Sequence, residues 1–397
     1  MNKMLTERRH DIDAIRVIVL LLLIGYHAAV AFQPWGWDIA FISNKKSLES
    51  LWIFFSLINT WRIPILFVIS GMALRYSYEK RDKWTLFNER TKIILLPYYF
   101  GINTLTIIHI GLFYNYIGVE LDESIESDPA HLWFLANIAF YAFCCIPFLN
   151  TSKNGSTQLS KILNLRFGTL FLSLPWVVYG FLQESFQLAW GLGWTMYAGT
   201  LHGFILGLLC FVYGIVLVSQ GEVFWESLKR NMSIHLALGI GLYIYRLTGE
   251  FELGGGPLVA FESYNFIFGV LGLGQKYLNK QSSTLDYLKE AVFPVYIFHL
   301  PLQQFFATLI FPTNLPASLK FFFLILLTLF GSFTLFHVVK RIKILRPLYG
   351  LRNPPTEAKN MFIAKSVKIF YYCLAAILVI EILFLYGIFT LIYIFPG

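Results

Sequence analysis

The sequence predicts an all-α fold, a polytopic membrane helix bundle, on three observations. The 397 residues are 57% hydrophobic and only 14% charged, whereas soluble domains carry about 25% charged residues. Apolar runs close to the ~20 residues needed to cross a bilayer recur along the whole chain, and the short alternating segments of a membrane barrel do not. Mean hydropathy is +0.62. The net charge of +8 suits basic cytoplasmic loops, so the lipid bilayer, and no nucleic acid, is the expected partner.

Eleven spans are expected, near 14–34, 51–74, 93–115, 131–149, 166–182, 200–219, 232–248, 257–278, 291–311, 318–339 and 368–395. The N-terminal arm carries Lys3, Arg8 and Arg9, and the even connections are basic as well. The second holds Arg75, Lys80, Arg81, Lys83, Arg90 and Lys92; the tenth runs from Lys340 to Lys368. The odd connections are nearly bare of Lys and Arg, and the third is acidic from Glu120 to Asp128. This alternation places the N-terminus in the cytoplasm and the C-terminus outside. Arg8, Arg9 and the following apolar run imitate a signal peptide, but Arg16 and His27 inside the run make it an uncleaved first span. Residues 1–345 form a ten-span core, 346–367 a basic cytoplasmic connection and 368–397 an additional transmembrane helix. No soluble domain or internal repeat is visible.

Ionisable residues within the spans are the informative ones. On the first span, Arg16 and His27 are eleven residues apart, three turns plus about 20°, and so share one face with a rise of about 16 Å. Asp13 stands one turn before Arg16. On the second, Arg62 falls mid-membrane in Trp61-Arg62-Ile63-Pro64, where proline removes a backbone bond and a broken turn is expected. A guanidinium at that depth needs an anionic partner from protein or ligand. His131-Leu132-Trp133 opens the fourth span, and His299 lies between Pro294 and Pro301. His109, His202, His235 and His337 are expected to be structural, and Trp190, Trp194 and Tyr197 to be interfacial anchors on an outer loop. Cys144, Cys145, Cys210 and Cys373 lack metal-type spacing, so they are expected as small core residues and no metal site is expected.

Arg16, ten residues, His27, then Arg62-Ile63-Pro64 with Phe67-Val68-Ile69-Ser70-Gly71 resembles the acyltransferase 3 family of integral-membrane acyltransferases. Glu89-Arg90-Thr91-Lys92 leading to Pro97 is similar to the basic segment that opens that family's third helix. His131-Leu132-Trp133-Phe134-Leu135 and Tyr296-Ile297-Phe298-His299-Leu300-Pro301 resemble its glucan-biosynthesis branch. The resemblance covers roughly residues 10–345. It implies a bacterial inner-membrane enzyme that moves an acyl group, of acetyl or succinyl class, from cytoplasmic acyl-CoA to a hydroxyl of an envelope or exported glycan or small acceptor. Acyl-CoA is then a co-substrate, with no bound cofactor, and glycan-assembly proteins are possible partners. Two departures stand out: Lys92 follows Arg90 where many members have a second arginine, and the hydrolase-like domain of some members is missing.

Acyl transfer to an alcohol needs a base and a donor or cation for the developing oxyanion. His27 is the expected general base, with Arg16 and Asp13 grouped with it as catalytic. Arg62, Ser70, Arg75 and Arg90 are the expected acyl-CoA contacts, and His131, Trp133 and His299 the acceptor side. The same cations would also suit a transporter of an anionic or lipid-linked glycan, or a non-catalytic partner in glycan assembly.

Overall fold

The computed structural model describes residues 8–119, 129–150, 156–185, 193–248, 256–353 and 369–382, and every regular element among them is a helix. The first span is α1, His10–Val30, with Asp11 and Asp13 in its first turn, where acidic side chains favour a helix N-terminus. The second is broken, as expected, into α2 (Leu51–Asn59) and α3 (Arg62–Tyr78). Pro64 sits in the first turn of α3, where its missing N–H is cheap. The third starts as α4 (Lys83–Arg90), widens into a π turn at Thr91–Leu95 and continues as α5 (Leu96–Ile102) and α6 (Leu105–Ile117). After α7 (Trp133–Cys145) come α8 (Thr157–Asn164), α9 (Gly168–Phe171) and α10 (Leu174–Ser185). The long helices α11 (Leu201–Val218), α12 (Glu222–Thr248), α13 (Pro257–Leu273), α14 (Ser283–Ile310) and α15 (Ala317–Arg341) follow, and α16 (Ile369–Ile382) ends the described chain.

Among the described residues eight helical runs are long and apolar enough to cross a membrane. Three of the eleven expected spans fall short for different reasons. The fifth is divided between α9 and α10. The seventh, inside α12, carries His235 and Arg246. The last is described only over Ile369–Ile382. The acidic connection 120–128, Lys153, Trp190, the connection 354–368 and the far half of the last span lie outside the described residues.

Without a hydrophobic drive between helices in lipid, close approach depends on small residues. A Cβ on Gly71 of α3 would lie 1.9 Å from the Phe211 carbonyl oxygen of α11, and one on Gly214 would lie 2.0 Å from that of Val68. The two backbones therefore touch. The break between α2 and α3 leaves carbonyls without helical donors, and two side chains supply them. Trp194 Nε1 donates to the Thr60 carbonyl at 3.3 Å, and the Tyr197 hydroxyl to those of Asn59 and Thr60 at 3.2 and 3.0 Å. Trp194 and Tyr197 are thus buried, not interfacial anchors: an unpaired carbonyl in hydrocarbon costs more than an anchor contributes. His202 holds this loop, bonding the Trp194 carbonyl and the Tyr179 hydroxyl. His235, bonded to Asn265 and Thr169, is structural as expected. The last helix docks on the third span, with Tyr372 against Trp84 and Phe87 and the Tyr99 hydroxyl on Glu381. For the site, the decisive contact is α1 against α14.

Candidate active site

That contact sets His27, one turn from the end of α1, against His299 in the middle of α14. His27 Nδ1 and His299 Nε2 are 3.0 Å apart, with the rings nearly parallel at 6°. The tautomers follow from the outermost acceptor. His299 Nδ1 lies 2.6 Å from the Tyr296 carbonyl, which can only accept, so Nδ1 carries the proton and Nε2 is a bare acceptor. His27 must then donate through Nδ1, which leaves its Nε2 lone pair without a donor among the described residues. His27 is only partly buried, whereas His299 has no exposure. The inner ring is locked and the outer one presents a free base.

His131 joins through the chemistry of proline. Pro301 lacks an N–H, so the Ile297 carbonyl four residues earlier loses its helical donor. His131 Nε2 supplies it at 3.1 Å. The His131 ring packs edge-on against His299, at 5.2 Å and 88°. Ala130, at φ 43°, adopts a left-handed conformation unfavourable for a residue with a Cβ and turns the chain into this contact. The Tyr296 hydroxyl ties back to the His131 carbonyl. His131 Nδ1 is buried with no partner among the described residues.

Arg62 opens α3 beside this pair. Its guanidinium lies 3.6 Å above the ring of Tyr26, the neighbour of His27, and its charge acts on both His27 and His299. Arg62 is 3% exposed, yet Nε and Nη1 have no hydrogen-bond partner among the described residues. The nearby carboxylate Glu262, which Thr60 contacts, is taken in two-pronged fashion by Arg246 at 2.8 and 2.9 Å. Two buried guanidinium donors are thus left without an acceptor among the described residues, next to Tyr26, the neighbour of His27.

The remaining expected site residues are dispersed. Asp13 and Arg16 pair at 3.5 Å at the opposite end of α1, so neither touches the imidazoles; the helical rise puts Asp13 about 21 Å from His27. Arg16 lies within electrostatic reach of Arg90, which is also near Arg81 and Arg352; Glu89 pairs with these last two, and the cluster stays net cationic. Arg90 donates to Ser77, and Lys92 turns onto Tyr371 of α16. Arg75 is fully buried against Ser219 and Glu79, so as placed it does not reach a phosphate at the surface. The Ser70 hydroxyl donates to the Leu66 carbonyl one turn back. Trp133, two residues after His131, packs with Phe67 and Phe134 in the core.

Several residues around the imidazoles carry no signal in isolation. Tyr26 and Phe41, whose ring lies 5.5 Å from that of His27, look like ordinary core aromatics. Gln304, which bonds Ala40, Ile42 and His109, stands one and a half turns after His299.

Residues 9–337 match the family described as an acyltransferase domain. Similar curated proteins include two named Glucans biosynthesis protein C, from Escherichia coli strain SMS-3-5 / SECEC and strain K12. Each is 24% identical over 401 residues, covering 91% of this chain and 98% of the relative. No solved structure matches the chain. With a family match over most of its length on an all-helical, membrane-spanning scaffold, the chain belongs to the acyltransferase 3 family and is a multi-pass membrane acyltransferase.

Proposed function

We propose that the protein transfers an acetyl- or succinyl-class group from cytoplasmic acyl-CoA to a hydroxyl of an envelope or exported glycan, with His27 as general base. The observation that carries this reading is the ordered chain from the Tyr296 carbonyl through His299 to His27, which leaves His27 Nε2 bare. The name of the glucan-biosynthesis relatives supports a glucan-type acceptor. In the step, Nε2 takes the hydroxyl proton as the acceptor oxygen bonds to the thioester carbonyl carbon. The carbonyl oxygen becomes an oxyanion, for which the two unpaired Arg62 donors are suited. Collapse re-forms the C=O bond and breaks the C–S bond, and the departing thiolate takes the proton from Nε2. The products are the ester and free CoA.

His299 is a positioning residue: its Nε2 accepts from His27 Nδ1 and stabilises the imidazolium formed midway. The net-cationic cluster around Arg16, Arg90 and Arg352 suits the phosphates of CoA on the cytoplasmic side of the inner membrane. The test is the purified protein in nanodiscs with isotope-labelled acetyl- or succinyl-CoA and a gluco-oligosaccharide, read by mass spectrometry. Wild type is expected to label the sugar, and His27→Ala to lose nearly all of that activity. Equal labelling by His27→Ala overturns the assignment. Label held stably on the protein without acceptor replaces direct transfer by an acyl-histidine route.

A further inference from the structure

Beyond the imidazoles, the loop that follows α1 and the end of α6 border an open cleft of about 540 Å³, within the ~300–1,000 Å³ range of small-molecule sites. Gln33, Trp37, Ser43, Asn44, Lys45 and Tyr116 are among its walls. Trp37 and Tyr116 are 59% and 43% exposed, so each offers a flat aromatic face. Polar groups alternate with them. Gln33 donates to the Ala29 and Leu48 carbonyls, which orients its amide, and no donor from the described residues reaches its Oε1. Lys45 is exposed, with no carboxylate partner among the described residues.

The loop is held rigidly. The Tyr116 hydroxyl donates to the Ser43 carbonyl at 2.7 Å, Asn44 Nδ2 to that of Lys46 at 2.7 Å, and Ser43 Oγ to that of Phe41 at 3.1 Å. Gln304 bonds Ala40 and Ile42 from α14, the helix that carries His299. One strand of backbone thus faces two ways. Trp37 and Ser43 line the cleft, and Phe41 between them lies against the His27 ring.

Flat aromatic faces interleaved with amide, hydroxyl and ammonium groups are the chemistry that binds saccharides: rings stack on the apolar faces while hydroxyls bond the polar groups between. We infer that this cleft is a subsite for the acceptor glycan, holding sugar units next to the one that is acylated. The assignment rests on the reaction proposed above and adds where the acceptor is held. Reading sugar binding without catalysis separates this subsite from a membrane-interface anchor, the other common use of an exposed tryptophan.

Saturation-transfer NMR and titration of a gluco-hexasaccharide are run against wild type, His27→Ala, Trp37→Ala and Lys45→Ala in nanodiscs, with a thermal melt on each. Wild type and His27→Ala are expected to bind alike, and Trp37→Ala about tenfold more weakly, the usual effect of losing an aromatic anchor. Its melt should be unchanged because Trp37 is exposed, and Lys45→Ala should weaken binding less. Trp37→Phe, which keeps a stacking face, is expected to recover most of the affinity. No binding by wild type, or equal binding by Trp37→Ala and Lys45→Ala, overturns the subsite. Normal binding with no acyl transfer by wild type counts against the proposed reaction and leaves the subsite standing.

Discussion

Replacing His299 by phenylalanine removes one acceptor nitrogen and keeps a ring in a site with no exposure. The reaction at His27 should then fail in a specific way. In the ground state, the bond between His27 Nδ1–H and His299 Nε2 joins two neutral groups. Once His27 has taken the acceptor proton, the same bond has a charged donor. Hydrogen bonds to charged groups are worth roughly 1.5–3 kcal/mol, and each ~1.4 kcal/mol is tenfold in rate. His299→Phe should therefore lower kcat by roughly 10- to 100-fold. The KM values for acyl-CoA and sugar should move little, because neither substrate touches this nitrogen. His299→Gln, whose amide oxygen can accept from Nδ1, should restore part of the rate. Steady-state kinetics in nanodiscs, with thermal melts to exclude unfolding, measures both. A kcat within about twofold of wild type in His299→Phe would refute the positioning role. A rise in KM alone would move His299 to substrate binding.

Three further outcomes concern the scaffold. Arg246→Ala should destabilise the protein by about 3–5 kcal/mol, since it leaves Glu262, 1% exposed, as an unpaired buried charge. Replacing both partners by methionine and leucine should restore most of the melting temperature. Gly71→Ala should abolish the close approach of α3 and α11, because the added carbon would fall 1.9 Å from backbone that cannot move independently; the readout is loss of folded protein in size-exclusion chromatography. Asp82 caps α4, and the hydroxyl of Thr85, with the amides of Thr85 and Trp84, holds its carboxyl below the usual range. A depressed carboxylate contributes stability above its unfolded pKa and loses it as pH falls through the folded value. The melting deficit of Asp82→Ala should therefore be full at neutral pH and vanish in acid.

Composition and hydropathy determined the fold class, because a chain this apolar must satisfy its backbone internally and the run lengths allow only helices. The 3.6-residue period determined that Arg16 and His27 share a face of α1, and Pro64 marked the break that leaves Arg62 at a helix start. Arg62 was conspicuous because a charge is costly at that depth. What no local pattern could supply was the pairing between distant segments. His27 and His299 are 272 residues apart in sequence, and only the packing of α1 on α14 makes them a dyad with a defined tautomer. His131 joined them because a proline on another helix left a carbonyl to be satisfied. Arg75 fell in the most basic connection yet turned inward to Glu79 and Ser219, while Arg246 found a buried carboxylate on the next helix. Burial and partnership depend on all the neighbours at once. A sequence can therefore show that a polar group lies within the membrane, but the folded bundle decides whether that group is occupied in holding the scaffold or left free to react.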